Sequence, residues 1–354
     1  MTSKKEFFIG SRAVGGNNPV YIVAEGGVNH RCDIKLAMEM IREAKQAGAD
    51  AIKFQTYKAE KLVTMWAKRY WEDSEPSGTQ YAIFKKSDHF GPNEFKRLAQ
   101  YCREQDITFL STPFDYEALE LLQELQMPAF KIASADLTNY PLLQRIAATG
   151  KPIFQSTGAS TLDEVRQWLE FAAQCGAEQI CLMHCVLCYP TPADEANLNR
   201  ITLMCERFPD VVVGYSDHTD ATVCNEVAVT AVTLGARVIE KHFTLNRSWL
   251  GDDHYHSADP QMLARMVESV KTAERALGVA YDGVLPCEEK SREFARRSII
   301  AARAIHKGER ITEDMLIMKR PGTGISPTEI SQVIGKRAAR DITEDAAISW
   351  EDLE

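Results

Sequence analysis

Eight short segments rich in Val, Ile and Phe alternate with amphipathic helical stretches over the first 278 residues of the chain. Such alternation predicts parallel strands, because two parallel neighbours must be joined by a crossover, usually a helix. Eight units in series favour a (β/α)8 TIM barrel, and a doubly wound sheet is the second choice because it usually has fewer units. The predicted strands are 19–25, 51–56, 107–112, 129–134, 152–157, 179–184, 211–216 and 237–242.

Helices are predicted between the strands, and three of them have clear signals at both ends. A residue that favours helix starts precedes each one, and a glycine follows it. These helices are 34–46, 162–174 and 261–277.

The last 60 or so residues have a different pattern, with short strands expected at 298–302, 304–310 and 315–320. Short strands separated by turns predict a small β-rich domain. A break containing Gly, Pro and Glu precedes them. We therefore predict a barrel domain over 1–281, a linker over 282–295 and a β-rich domain over 296–354.

A long insertion, 64–90, follows the second predicted strand. Loops of this length in compact domains are often lids or binding loops. It contains the aromatic residues Trp66, Tyr70, Trp71, Tyr81 and Phe84.

The net charge of −9 argues against a general affinity for nucleic acid or anionic membranes. The sequence has no apolar run of membrane-spanning length and no apolar segment at residues 1–9, so we expect a cytoplasmic protein. Its nine cysteines should then be mostly reduced. Cys185 and Cys188 form one C-x-x-C, but a zinc ribbon needs a second pair, so buried thiols are favoured over a metal or redox role.

Polar residues occur at the carboxyl ends of seven predicted strands, which is where a barrel enzyme carries its catalytic groups. Alternate residues of a strand share a face, so Ser216 lies with His218, and Glu240 lies with His242. Buried polar groups need partners, and a ligand or metal in the barrel mouth would provide them.

Two lysines among these residues, Lys53 and Lys131, favour a phosphate site over structural ion pairs. Four hydroxyl donors are expected beside them: Thr112, Ser134, Ser156 and Ser216.

His218 and His242 end neighbouring strands, where two ligands of one divalent cation would lie. Two histidines are too few for a complete shell, so water and a carboxylate are needed, and Glu25 is a candidate. His254 and His256, in a stretch expected to be flexible, are weaker candidates.

Ten ordered segments resemble the sialic acid synthase family, and the last two are similar to the antifreeze-like (SAF) domain of these enzymes. The segments are IVAEGGVNH (22–30), GADAIKFQT (48–56), LSTPF (110–114), KIASAD (131–136), STG (156–158), LMHCVLCYPTP (182–192), GYSDHT (214–219), GARVIEKHFTL (235–245), RSIIA (297–301) and KRPGTGISP (319–327).

The resemblance implies an enzyme that joins phosphoenolpyruvate to an N-acyl amino-sugar aldehyde and releases phosphate. It implies that His218 and His242 bind Mn²⁺, with Mg²⁺ or Co²⁺ as alternatives, and that Glu25 is the acid beside the metal. The implied phosphoenolpyruvate-binding residues are Lys53, Thr112, Lys131, Ser134, Ser156 and Ser216. The implied acceptor-side residues are Gln55, Asp136, Tyr189, Asp253 and Arg320. Arg320 would come from the SAF domain of a partner subunit, which implies a domain-swapped homodimer.

Three departures from the family pattern lie on the acceptor side. Leu187 stands where Asn is frequent, Asp136 where Glu is common, and Gly-Asp-Asp at 251–253 replaces Gly-Pro-Asp. The departures therefore concern the identity of the sugar and not the use of phosphoenolpyruvate. N-acetylmannosamine is the first choice of acceptor, and a diacetamido-trideoxyhexose, the precursor of legionaminic or pseudaminic acid, is a close alternative.

Two other functions remain open from the residues. A class I aldolase would use Lys53 or Lys131 to form a Schiff base and would need no metal. A non-enzymatic carbohydrate- or ice-binding protein built on the C-terminal domain would leave the polar strand ends unexplained.

Overall fold

The computed structural model describes residues 6–71 and 78–354. Two segments lie outside the described residues. They are residues 1–5, which belong to the stretch expected to lack a signal sequence, and residues 72–77 of the predicted insertion. The chain divides into two compact units, Met1–Gly278 and Val279–Glu354. The segment predicted as a linker thus falls in the second unit, and it contains a helix.

The first unit begins with a hairpin that was not predicted and continues with eight parallel strands. The hairpin strands are β1 (Glu6–Ile9) and β2 (Arg12–Gly15). The parallel strands are β3 (Tyr21–Gly27), β4 (Ala51–Thr56), β5 (Thr108–Pro113), β6 (Phe130–Ile132), β7 (Ile153–Ser156), β8 (Ile180–Cys185), β9 (Val212–Asp217) and β10 (Val238–His242). Their order, β5-β4-β3-β10-β9-β8-β7-β6, makes a nearly closed barrel, which confirms the predicted fold.

Helices connect these strands and cover the barrel. They are α1 (Ile34–Gln46), α2 (Ala59–Leu62), α3 (Gln80–Ser87), α4 (Pro92–Glu104), α5 (Tyr116–Glu124), α6 (Tyr140–Ala147), α7 (Leu162–Gln174), α8 (Asn199–Arg207), α9 (Cys224–Thr233) and α10 (Pro260–Leu277). Side-chain caps fix their starts: Asp33 accepts from the first turn of α1, and Asp259 accepts from Met262 N in α10. No described helix is both long and apolar enough to span a bilayer.

Strand register brings polar residues to the same level of the barrel. His242 of β10 lies opposite Glu25 of β3, and Glu25 lies opposite Lys53 of β4. On the other side of β10, Glu240 lies opposite Ser216 of β9. Because these positions are buried among apolar neighbours, the barrel core ends in a layer of charged and hydroxyl groups.

The second unit has its own small apolar core, which includes Ile299, Ile311 and Val333. Its elements are α11 (Glu289–Ala295), the antiparallel strands β11 (Ser298–Ala301) and β12 (Leu316–Lys319), and α12 (Ile330–Val333). The strand predicted over 304–310 is wrong: only isolated bridges form at Ile305 and Arg310, because the chain turns at Gly308, whose φ is +80°.

Candidate active site

A cavity of about 340 Å³ opens at the carboxyl ends of the barrel strands. Every site residue predicted within the barrel contributes to its lining: Glu25, Lys53, Gln55, Thr112, Lys131, Ser134, Asp136, Ser156, Tyr189, Ser216, His218, His242 and Asp253. Arg320 lies in the second unit. The individual roles of these residues remain predictions.

Glu240 is the centre of a buried polar cluster in this cavity. Its Oε1 accepts from Lys131 Nζ at 3.1 Å and from Ser216 Oγ at 3.0 Å, and it lies 3.7 Å from Lys53 Nζ. Lys53 Nζ also lies 2.5 Å from Glu25 Oε2. The sequence-based prediction assigns no role to Glu240, although its spacing from His242 puts both side chains on one face of the strand.

The cluster stabilises the charged forms of Lys53 and Glu240. Burial alone would raise the pKa of Glu240, but Lys131 and Lys53 outweigh burial, and its pKa is lowered. Burial alone would lower the pKa of Lys53, but Glu240 and Glu25 outweigh it, and its pKa is raised. Lys53 therefore lies between two glutamates, and Lys131 pairs with one of them, Glu240.

The hydroxyl groups that line the cavity differ in their hydrogen-bond partners. Thr112 Oγ1 accepts from Lys53 Nζ at 3.3 Å, and Ser134 Oγ accepts from Gly158 N at 3.0 Å. Ser156 Oγ is buried and has no hydrogen-bond partner in the described part of the chain. Because an unpaired buried hydroxyl is costly, Ser156 is suited to bind a ligand oxygen.

His218 is oriented by a backbone hydrogen bond. Its Nδ1 donates to the Val186 carbonyl at 2.7 Å, which leaves the lone pair on Nε2. Burial, followed by the neighbouring His242, lowers its pKa to about 3, so its ring is neutral. A neutral imidazole that donates its other N–H to a carbonyl is the usual form of a metal-binding histidine. His218 therefore fits the predicted divalent cation, and its ring centroid lies 5.3 Å from that of His242.

The loop after β10 brings further donors to His242. Asp253 Oδ2 lies 3.4 Å from His242 Nδ1, and the His256 ring centroid lies 4.7 Å from that of His242. Burial would raise the pKa of Asp253, but His242 outweighs burial, and the pKa is lowered. The expectation of a flexible stretch is wrong here, since His254 and His256 are both fully buried.

The remaining wall of the cavity is largely apolar. Tyr70, Trp71 and Phe84 of the predicted insertion contribute to it, as do Leu62 and Leu187. Trp66, by contrast, is 78% exposed, so only part of the insertion reaches the cavity.

Two polar groups on the predicted acceptor side have partners within the barrel. Gln55 Nε2 donates to Glu25 Oε1 at 3.0 Å, and Asp136 accepts from Asn139 at 3.0 Å. Burial raises the pKa of Asp136, and the hydrogen bond from Asn139 offsets part of that effect. Both residues are therefore held in place before any ligand binds.

A barrel whose open end carries charged, hydroxyl and imidazole groups around one cavity has the arrangement of an enzyme. The family model described as the NeuB family matches residues 40–282, and the SAF domain model matches residues 296–354. The chain belongs to the NeuB family and carries a C-terminal SAF domain, which confirms the resemblance found in the sequence.

Similar proteins span nearly the whole chain. N,N'-diacetyllegionaminic acid synthase of Legionella pneumophila is 36% identical and covers 98% of each chain. N-acetylneuraminate-9-phosphate synthase of Mus musculus is 36% identical over 97% of this chain and 95% of its own. The crystal structure of N-acetylneuraminic acid synthetase from Leptospira borgpetersenii, solved with citrate, has a TM-score of 0.72 and 34% identity over 81% of this chain and 95% of that chain.

Proposed function

We propose that this protein condenses phosphoenolpyruvate with the open-chain aldehyde of an N-acyl amino sugar to give a nonulosonic acid and phosphate. The observation that carries the proposal is the buried pair Lys53 and Lys131, 3% and 5% exposed, among hydroxyl groups in the cavity. Phosphoenolpyruvate presents a phosphate and a carboxylate, which suit such a site. The names of the similar proteins support a product of this class.

Each bond change has a place in the proposed reaction. The C3 carbon of phosphoenolpyruvate attacks the aldehyde carbon, water adds to the cationic C2, and phosphate leaves with its bridging oxygen. Lys53 and Lys131 offset the charge of the phosphate and carboxylate groups. Glu25 contacts Lys53 and Gln55, and in the proposed reaction it takes the proton of the water.

A bound divalent cation would polarise the aldehyde carbonyl as a Lewis acid. His218 and His242 are the residues that would hold it according to the resemblance, and their contacts fit that role. Mn²⁺ as the metal, a cytoplasmic location and a swapped homodimer that uses Arg320 are further parts of this proposal.

The ion pairs of the two lysines argue against the aldolase alternative. A Schiff base requires a neutral, nucleophilic amine. The pKa of Lys53 is raised because Glu240 and Glu25 outweigh its burial, and Lys131 is paired with Glu240 at 3.1 Å. Both amines are therefore better suited to bind an anion than to attack a carbonyl.

The cavity wall supports an acceptor without a phosphate group. Among the described residues, Lys53 and Lys131 are the only lysines that line the cavity, and no arginine does. Both lysines lie in the buried cluster. N-acetylmannosamine remains the first acceptor. A diacetamido-trideoxyhexose is the second, and Leu187 and Trp71 favour it because an apolar wall suits a sugar with fewer hydroxyl groups.

Phosphate release tests the proposed function directly. Purified protein is incubated with phosphoenolpyruvate and each of N-acetylmannosamine, its 6-phosphate and a diacetamido-trideoxyhexose, with and without Mn²⁺. We expect metal-dependent phosphate release with an unphosphorylated sugar and little with the 6-phosphate. No sugar-dependent release under any of these conditions would refute the function.

Lys53→Ala and Lys131→Ala are each expected to weaken the apparent affinity for phosphoenolpyruvate by about 10- to 100-fold, because each leaves anionic oxygens without a charged partner. Steady-state kinetics at saturating acceptor gives the affinity. Lys151→Ala, an exposed lysine, is the control and should leave it unchanged. Wild-type affinity in both cavity variants would move the anion site elsewhere.

A further inference from the structure

Asn29 is a buried side chain that the proposed reaction does not use. It is 1% exposed and is not among the residues that line the cavity. Its amide is nevertheless fully engaged. Nδ2 donates to the Phe243 carbonyl at 2.9 Å and to Ser257 Oγ at 3.1 Å, and Oδ1 accepts from Asp253 N at 3.0 Å. Asn29 therefore ties the connection after β3 to the loop after β10.

The backbone of Asp253 is held by side chains and not by regular secondary structure. Its N–H donates to Asn29, and its carbonyl accepts from Ser257 Oγ at 2.5 Å. Since Asn29 Nδ2 donates to the same hydroxyl, the three residues form a closed ring of hydrogen bonds. The two residues before Asp253 have positive φ, +79° at Gly251 and +46° at Asp252, so the chain makes an irregular turn there. The ring fixes where Asp253 leaves that turn.

The Asp253 carboxylate is thereby placed beside two other groups of the cavity. A β-carbon at Gly27 would lie 3.4 Å from Asp253 Oδ2, from Gln55 Nε2 and from Glu25 Oε1. These three polar atoms surround the space that the missing side chain of Gly27 leaves open, and their residues all line the cavity. A hydroxyl group of the acceptor at this edge of the cavity would meet Asp253 and Gln55 together.

We propose that Asn29 is a positioning residue for the acceptor sugar: through its bonds to Asp253 and Ser257, it holds the Asp253 carboxylate where the sugar binds. The inference rests on the proposed function, in which Asp253 is an acceptor-side residue. Asn29 itself touches neither substrate. Its effect should therefore appear in the use of the acceptor and pass through Asp253, whereas the binding of phosphoenolpyruvate by Lys53 and Lys131 should be spared.

Steady-state kinetics of phosphate release tests this role in the full-length protein. The acceptor, N-acetylmannosamine or the diacetamido-trideoxyhexose, is varied at saturating phosphoenolpyruvate, and phosphoenolpyruvate is then varied at saturating acceptor. Asn29→Ala should lower kcat/KM for the acceptor by about tenfold or more, because small misplacements of a binding group are costly. The apparent affinity for phosphoenolpyruvate should stay within about twofold of the wild type. Asn93→Ala, at an exposed asparagine of α4, is the control and should leave both unchanged.

A double-mutant cycle distinguishes positioning from a general loss of structure. If Asn29 acts through Asp253, Asn29→Ala should cost less than about twofold when it is added to Asp253→Ala, because the carboxylate that it positions is already absent. A purely structural role would give the same loss in both backgrounds. Circular dichroism checks that each variant is folded.

Two results would overturn the proposal. One is a wild-type kcat/KM for the acceptor in folded Asn29→Ala, and the other is a loss that is undiminished in the Asp253→Ala background. If Asn29→Ala does not fold, Ser257→Ala replaces it in the same cycle, and a loss that is absent or undiminished there has the same meaning. Absence of sugar-dependent phosphate release by the wild type would instead refute the proposed function, and this inference would fall with it.

Discussion

His242→Ala is expected to lower the rate of phosphate release by about a thousandfold or more, because the cation contributes several kcal/mol to transition-state stabilisation. His242 belongs to the predicted pair with His218. Chelation of the wild type should produce the same loss, and added Mn²⁺ should restore the rate. Initial rates of phosphate release measure both effects.

The comparison variant for this experiment is His306→Ala, since the His306 side chain is 83% exposed in the second unit. It should keep the wild-type rate and the wild-type response to chelation. His218→Ala shows whether the second histidine of the predicted pair is also required. Full activity of His218→Ala and His242→Ala in metal-free buffer would refute metal dependence and remove the Lewis-acid role from the mechanism.

Glu240→Gln is expected to destabilise the barrel by about 3–5 kcal/mol, since it leaves two buried lysines without their shared carboxylate. Thermal unfolding followed by circular dichroism should show the barrel transition about 10 °C lower. Added phosphate should recover more of the loss in this variant than it adds to the wild type, because an anion then replaces the missing charge.

An exposed ion pair provides the matched control for that experiment. Glu170 lies 3.6 Å from Arg166 on α7, with both side chains more than half exposed, so Glu170→Gln should cause little change. An unchanged midpoint in Glu240→Gln would mean that the cluster around Glu240 contributes no net stability, and that the two lysines are neutralised in another way.

The barrel could be predicted because its strands are covered on both faces and therefore form apolar runs that helices separate. The hairpin of β1 and β2 was missed, although two residues, Gly10 and Ser11, separate its short apolar strands, a spacing typical of hairpins. The strand predicted at 304–310 failed because the chain turns at Gly308, whose φ of +80° interrupts the extended backbone.

Some features of the candidate site follow from local sequence spacing, and others depend on contacts between distant parts of the chain. Glu240 could have been recognised from its spacing to His242, because alternate residues of a strand share a face. The burial of His256 could not have been predicted, because the loop that carries it is held by Asn29. Asn29 is separated from Asp253 by 224 positions in the sequence. A contact of that range depends on how the whole barrel closes.

The charged layer and the apolar wall of the cavity come from different parts of the chain. Strand register fixes Glu25, Lys53 and His242 at one level, whereas Trp71 and Leu187 lie in the connections after β4 and β8. Connections tolerate changes in length and composition far better than barrel strands do. Exchange of those two connections between relatives is therefore a practical route to engineer new sugar preferences, and random mutagenesis confined to them should spare the chemistry.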